Sequence, residues 1–178
     1  MVLVGTLGGY RYAGANESKR DERAETREKL ARRELNSEVR EQRKHEFQLT
    51  TMLDLQDVTR ELARAVGKIL VADEDSLRRN RLYPQVTEEL NEPAYVSRRD
   101  LIRLMHRITN DSLRNVLMEF NDRTASMIVT GNNLSSINPD LELQRVIRDK
   151  SDLAVIFGQV NDKLGIFLRA VLNWQPDN

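Results

Sequence analysis

Asp54, Asp57 and Glu61 are spaced by three and four residues, which on a helix places three carboxylates on one face. Such a set has the residue types to hold a cation or to divide acid and base roles. Arg60 and Arg64 are interleaved with it, and i,i+3 and i,i+4 pairing turns the same face into a solvated charge ladder. Asp73, Glu74 and Asp75 form a second acidic run, answered by Arg78 and Arg79, and read as another solvated cluster. The chain has two histidines, His45 in a charged run and His106 beside Leu104 and Met105. Neither has a second nitrogen ligand nearby, and the Glu-x-x-His spacing of di-iron bundles is missing, so both read as ordinary surface or boundary histidines. Gln56 and Asn161 flank apolar seams, where a polar pair could set helix register or both could face water.

No phosphate-cradling loop, dinucleotide fingerprint or serine-nucleophile elbow occurs, and the N-terminal "GTLGG" neither follows a strand nor opens a phosphate-binding helix. The expectation is a non-enzyme with no catalytic, cofactor-binding or metal-binding residues and no evident small-molecule ligand. The chain has no cysteine, which excludes disulfides and a thiolate nucleophile. Lys+Arg and Asp+Glu are both 28, so the net charge is zero. Residues 16–46 carry ten basic side chains among nine acidic ones and no aromatic residue before Phe47. Nucleic-acid binding normally shows a basic excess, so it is not expected.

The elements that must position these residues are helical. Aromatics are 5% of 178 residues and glycine and proline are scarce, which disfavours an all-β fold. The reading is an all-α fold: an antiparallel three- or four-helix bundle over 47–178 with a long charged helical extension over 16–46 in front, after an apolar, glycine-rich stub over 1–15. In the extension Glu25/Lys29 and Glu28/Arg32 have the favourable acid-first order, each worth about 0.3–0.5 kcal/mol, and the apolar positions Ala24, Leu30, Ala31, Leu35 and Val39 are sparse. From Phe47 the character changes. Met52, Leu55, Thr59, Leu62, Val66 and Ile69 step by three and four, a seam with one polar break at Thr59. The helix is expected to run on to about Asn80, ~95 Å from residue 17, with Gly67 its one weak point.

Pro84 and Pro93 suggest a loop over 81–96 with at most a turn at 86–90. Ser97-Arg-Arg-Asp100 then has capping-box spacing and opens a segment over 97–129, one bent helix or two, with "TNDS" at 109–112 as the joint. Its buried stripe is Leu101, Leu104, Met105, Ile108, Leu113, Val116, Leu117 and Phe120. After a loop over 130–138 with Gly131 as C-cap, Asn138-Pro139 starts a last helix to about 173. Gly158 and Gly165 fall on one face of it, and the expectation is close packing by another helix.

"LDLQDVTRELARAVGKIL" (53–70) and "FGQVNDKLGIFLRAVL" (157–172), with Leu55-Gln56-Asp57 and Asn161…Gly165 inside them, resemble two recurring segments of a group of small bacterial, mostly actinobacterial, helical proteins. The resemblance implies a glycine-containing N-terminal membrane helix, then a mixed-charge helix, then a helical body; it implies no activity. "LVGTLGGY" (3–10) would be the end of that membrane helix, although the apolar run Val2–Gly9 is too short to span a bilayer and Arg11 interrupts it. It is a truncated anchor or a disordered leader. Lys19, Arg20 and Arg23 behind it suit the positive-inside rule.

The expected function is therefore a helical scaffold or oligomerisation module, in the cytoplasm and at the inner face of a membrane. It would self-associate or hold a protein partner through its N-terminal helix. The alternative is a soluble dimeric coiled-coil partner-binding protein; a ligand-binding or enzymatic bundle using the Asp54/Asp57/Glu61 face ranks below both.

Overall fold

The computed structural model describes the backbone over residues 5–79, 88–129 and 138–173, and side chains over 20–79, 89–128 and 138–173. It is an all-α bundle of four helices, with no strand among the described residues: α1 (Gly5–Arg78), α2 (Glu88–Met105), α3 (Asp111–Val129) and α4 (Pro139–Leu172). Residues 81–87 of the loop expected over 81–96, residues 130–137 of the second expected loop, Gly131 as a cap, and the side chains of the Val2–Gly9 stub lie outside the described residues. The chain divides into two units, one ending at Glu46 and one beginning at Phe47.

In the first unit every described side chain from Arg20 to Lys44 is exposed, because charge surrounds the helix and its few apolar residues make no wide face. Lys29–Glu25 and Arg32–Glu28 are ion pairs of 2.5 Å each.

In the second unit the seam of α1 is the core. Met52, Leu55, Thr59, Leu62, Val66 and Ile69 are all buried, joined by Leu101, Leu104 and Ile108, by Leu113, Leu117 and Phe120, and by Val146, Leu153 and Val160. Thr59 keeps its place in this apolar column because its hydroxyl donates to the Leu55 carbonyl at 2.8 Å, one turn back. Thr124 of α3, also fully buried, does the same to Phe120 at 2.8 Å. Phe120 and Phe157 bring α3 and α4 together, their rings 6.4 Å apart at 36°.

The segment over 97–129 is two helices. Asn110 separates them: its side chain accepts from the Leu113 amide at 3.0 Å, and its carbonyl accepts from the Arg114 amide at 3.0 Å, so it is the N-cap of α3. Asn138 caps α4 in the same way, accepting from the Asp140 amide at 3.0 Å ahead of Pro139. In the joint, Arg107 sits 5.8 Å from the centre of the Phe47 ring, covering one face of an otherwise half-exposed aromatic.

Two expectations are corrected. Helix α2 begins at Glu88 rather than Ser97, with Pro93 inside it, and Ser97 is interior and not a cap. Proline removes one hydrogen bond near the helix start, but Ala94 immediately after it is 1% exposed and Leu90 packs on the core, and that burial outweighs the local rule. Among the described residues, no other helix closes on Gly158 or Gly165. A Cβ at Gly158 would meet nothing within 4 Å, and at Gly165 only the Arg169 guanidinium at 3.5 Å. Among the three described glycines, Gly67 is the one that faces another helix: a Cβ there would lie 3.9 Å from Leu153.

Glycine inside a helix costs about 0.5–1 kcal/mol against alanine when the added methyl has room. Gly158→Ala and Gly165→Ala are each expected to stabilise the protein by about that amount in urea titration; a loss of stability from Gly158→Ala would show that something does approach that face.

Candidate functional site

The charged residues with the most structured surroundings lie where α1 meets α4. The helices run antiparallel here: Gly67 of α1 faces Leu153 of α4, and Glu74, two turns on, faces Lys150. The amphipathic period of α1 continues past its seam, so Asp73 occupies the buried position between Leu70 and Leu77 and is 7% exposed. Glu74 beside it accepts from Lys150 Nζ at 2.6 Å and from the Arg78 guanidinium at 2.7 Å and 2.9 Å. On α4, the i,i+3,i+4 spacing of Glu142, Arg145 and Asp149 sets the arginine between two acids. Arg145 donates from Nε to Glu142 at 2.6 Å, with Nη2 on the same carboxylate, and from Nη1 to Asp149 at 2.9 Å. Glu142 is 5% exposed and lies in the first turn of α4, where the helix dipole favours negative charge.

Burial pushes the Asp73 carboxyl above its ordinary value; Arg145 opposes this and Glu142 adds to it. Asp149 is raised as well, again by burial against the pull of Arg145. For Arg145 burial disfavours the charge, but the hydrogen bond to Glu142 and the charges of Glu142, Asp149 and Asp73 outweigh it and hold the guanidinium above its usual range. Glu74 is lowered, first by its hydrogen bond to Lys150 and then by Arg78.

Beside this network is an open groove of about 640 Å³ lined by α1, α4 and Leu90 of α2, with Gly67, Val71 and Leu153 on its walls and Arg64, Lys68, Asp75 and Lys150 contributing charge. Among the described residues, no buried side-chain nitrogen or oxygen lacks a hydrogen-bond partner, and no group of three His, Asp or Glu is arranged to hold a metal. Chemically the arrangement is a clamp: its Glu74–Lys150 contact ties α4 to α1.

The residues singled out in the sequence are placed elsewhere. Asp54, Asp57 and Glu61 are exposed; Asp57 pairs with Arg60 at 3.2 Å and Glu61 with Arg64 at 2.8 Å, the ladder of a solvated face. His106 is exposed in the turn after α2 and His45 is half-buried. Gln56 and Asn161 are each half-buried, and no hydrogen bond joins them among the described residues. Asp73 and Glu74 correct the reading of 73–75 as solvated: Asp73 is buried and Glu74 faces α4, while Asp75 is exposed at the groove. Glu142, Arg145, Asp149 and Lys150 were not anticipated; the three-and-four spacing of the first three was their only signal. No helix among the described residues is long and apolar enough to cross a membrane. No protein-family model, no curated protein and no solved structure matches this chain.

The shifts in this network have opposite consequences for stability. A raised carboxylate such as Asp73 contributes stability below its unfolded value and loses it as pH rises through the raised folded value. The Glu74 contribution is present above its ordinary 4.5 and is lost as pH falls through the lowered folded value. At about pH 7 the urea midpoints are expected in the order Asp73→Asn above wild type above Glu74→Gln, converging towards about pH 3 as the acids protonate. A midpoint for Asp73→Asn below wild type at neutral pH would mean that the Asp73 charge is held favourably by Arg145.

Proposed function

We propose that the protein is a non-enzymatic helical scaffold that associates through its charged N-terminal helix, with the bundle beyond Phe47 as the body it anchors. The observation that carries this reading is the exposure of every described side chain from Arg20 to Lys44 in α1, including Leu30, Leu35 and Val39 at 51%, 60% and 38%. A helix that buries nothing within its own chain gains little from packing, since most helical stability comes from docking an apolar face. Its ion pairs are exposed and each contributes only a few tenths of a kcal/mol. A second helix laid along it supplies the missing burial. Placement at the cytoplasmic face of a membrane belongs to the same proposal; its support is Lys19, Arg20 and Arg23 directly behind the apolar Val2–Gly9.

Removing residues 1–46 is expected to convert an associating protein into a monomer by light scattering while leaving the thermal midpoint of the bundle within a few degrees. The same mass with and without the segment would count against association through this helix. For the membrane part, the full protein is expected to pellet with anionic vesicles, and complete recovery in the supernatant would remove it.

A further inference from the structure

The pattern of charge on the extension points to its occupant: we propose that residues 20–41 of α1 pair with the same segment of a second copy, running antiparallel about a two-fold axis near Lys29 and Leu30. This rests on the association reading above and adds the partner and its direction. Every seventh residue from Arg20 falls on one flank of the helix, and these are Arg20, Arg27, Glu34 and Glu41, two cations followed by two anions. The opposite flank carries Glu25 and then Arg32. Between the flanks runs a narrow seam of Ala24, Glu28, Ala31 and Leu35.

When a second helix runs the opposite way, each flank meets the same flank of the other copy. Arg27 then faces Glu34, Arg20 faces Glu41 and Glu25 faces Arg32, and the two-fold makes each contact twice. These pairs share one centre to within two residues. Arg27/Glu34 and Arg20/Glu41 are centred between Leu30 and Ala31, Glu25/Arg32 between Glu28 and Lys29, and the seam pair Ala24/Leu35 between Lys29 and Leu30. Two residues are about 3 Å of rise, well within side-chain reach. Alanines at seven-residue spacing let the backbones approach closely enough for the flanking charges to meet. Within this span Asp21 would face Glu38, a like-charged layer at each end of the seam that the flanking Arg20/Glu41 pairs must offset.

In-register parallel pairing is worse. There each flank meets the opposite one, which gains Arg20 against Glu25 but sets Arg27 against Arg32 and places Glu28 on its own copy. Arg27 and Glu34, the central pair, have no ion-pair partner among the described residues, whereas Glu25, Arg32 and Glu41 are paired within their own helix and would have to share those contacts.

The test is charge exchange in the full chain, followed by sedimentation equilibrium. Arg27→Glu alone and Glu34→Arg alone each place two like-charged pairs in the dimer, and each is expected to weaken association about 10-fold. An equimolar mixture of the two variants, and the double variant R27E/E34R, are both expected to return to wild-type affinity, since all pairs are again opposite. If the wild type associates but the single variants match it, or the mixture is not restored, the antiparallel pairing is wrong while association through the helix stands. A wild type that is monomeric at every concentration overturns both.

Discussion

A helix can bury only the face that its sequence makes apolar, and among the described residues of α1 such a face is continuous from Thr51 onward. Everything in the second unit follows from that seam. Leu55, Leu62 and Val66 are fully buried and define the surface on which the other three helices collect. Gly67 leaves room for Leu153 at the α1–α4 contact, and the buried hydroxyls of Thr51, Thr59 and Thr124 satisfy themselves on their own helices. The same rule leaves the described side chains of residues 20–44 exposed, because their apolar members are too few and too scattered to form a stripe.

Past the apolar end of the seam, charge takes over the work of alignment. Asp73 and Glu74 are consecutive, so one points into the bundle and the other along its edge, and α4 answers with Arg145 and Lys150. Sliding α4 by one residue would take Lys150 off Glu74 and leave Asp73 buried without Arg145 nearby. Charged pairs of this kind add little net stability compared with apolar packing, but they penalise every wrong register, which is a service leucines cannot provide. The raised Asp73 and the lowered Glu74 are the two sides of that arrangement: one acid tolerates burial for the sake of position, the other is held by two cations.

Much of this was legible in the chain, and the misses have a common cause. The three-and-four steps of 52–69 mark a buried stripe because periodicity is a property of one helix alone. Asn110 and Asn138 are equally local, since a cap is made within four residues. Pro93 misled because a local prohibition was outweighed by the burial of Ala94, which depends on other helices. Gly158 and Gly165 misled in the opposite direction: spacing places them on one face but says nothing about whether a neighbour stands there. The clamp stayed hidden because Glu74 and Lys150 are far apart in sequence, and acidic runs such as 73–75 look alike whether they face water or another helix.

On the proposal made above, the extension serves contact with a second copy of the chain, and its charge order is specific enough to name a direction. Amide hydrogen exchange, followed by peptide at low and high protein concentration, addresses it most directly. Protection over residues 20–41 is predicted to rise with concentration while that of the buried seam over 52–70 stays constant. Exchange over 20–41 that is equally fast at both concentrations would contradict the account, because the helix would then have no second copy to protect it.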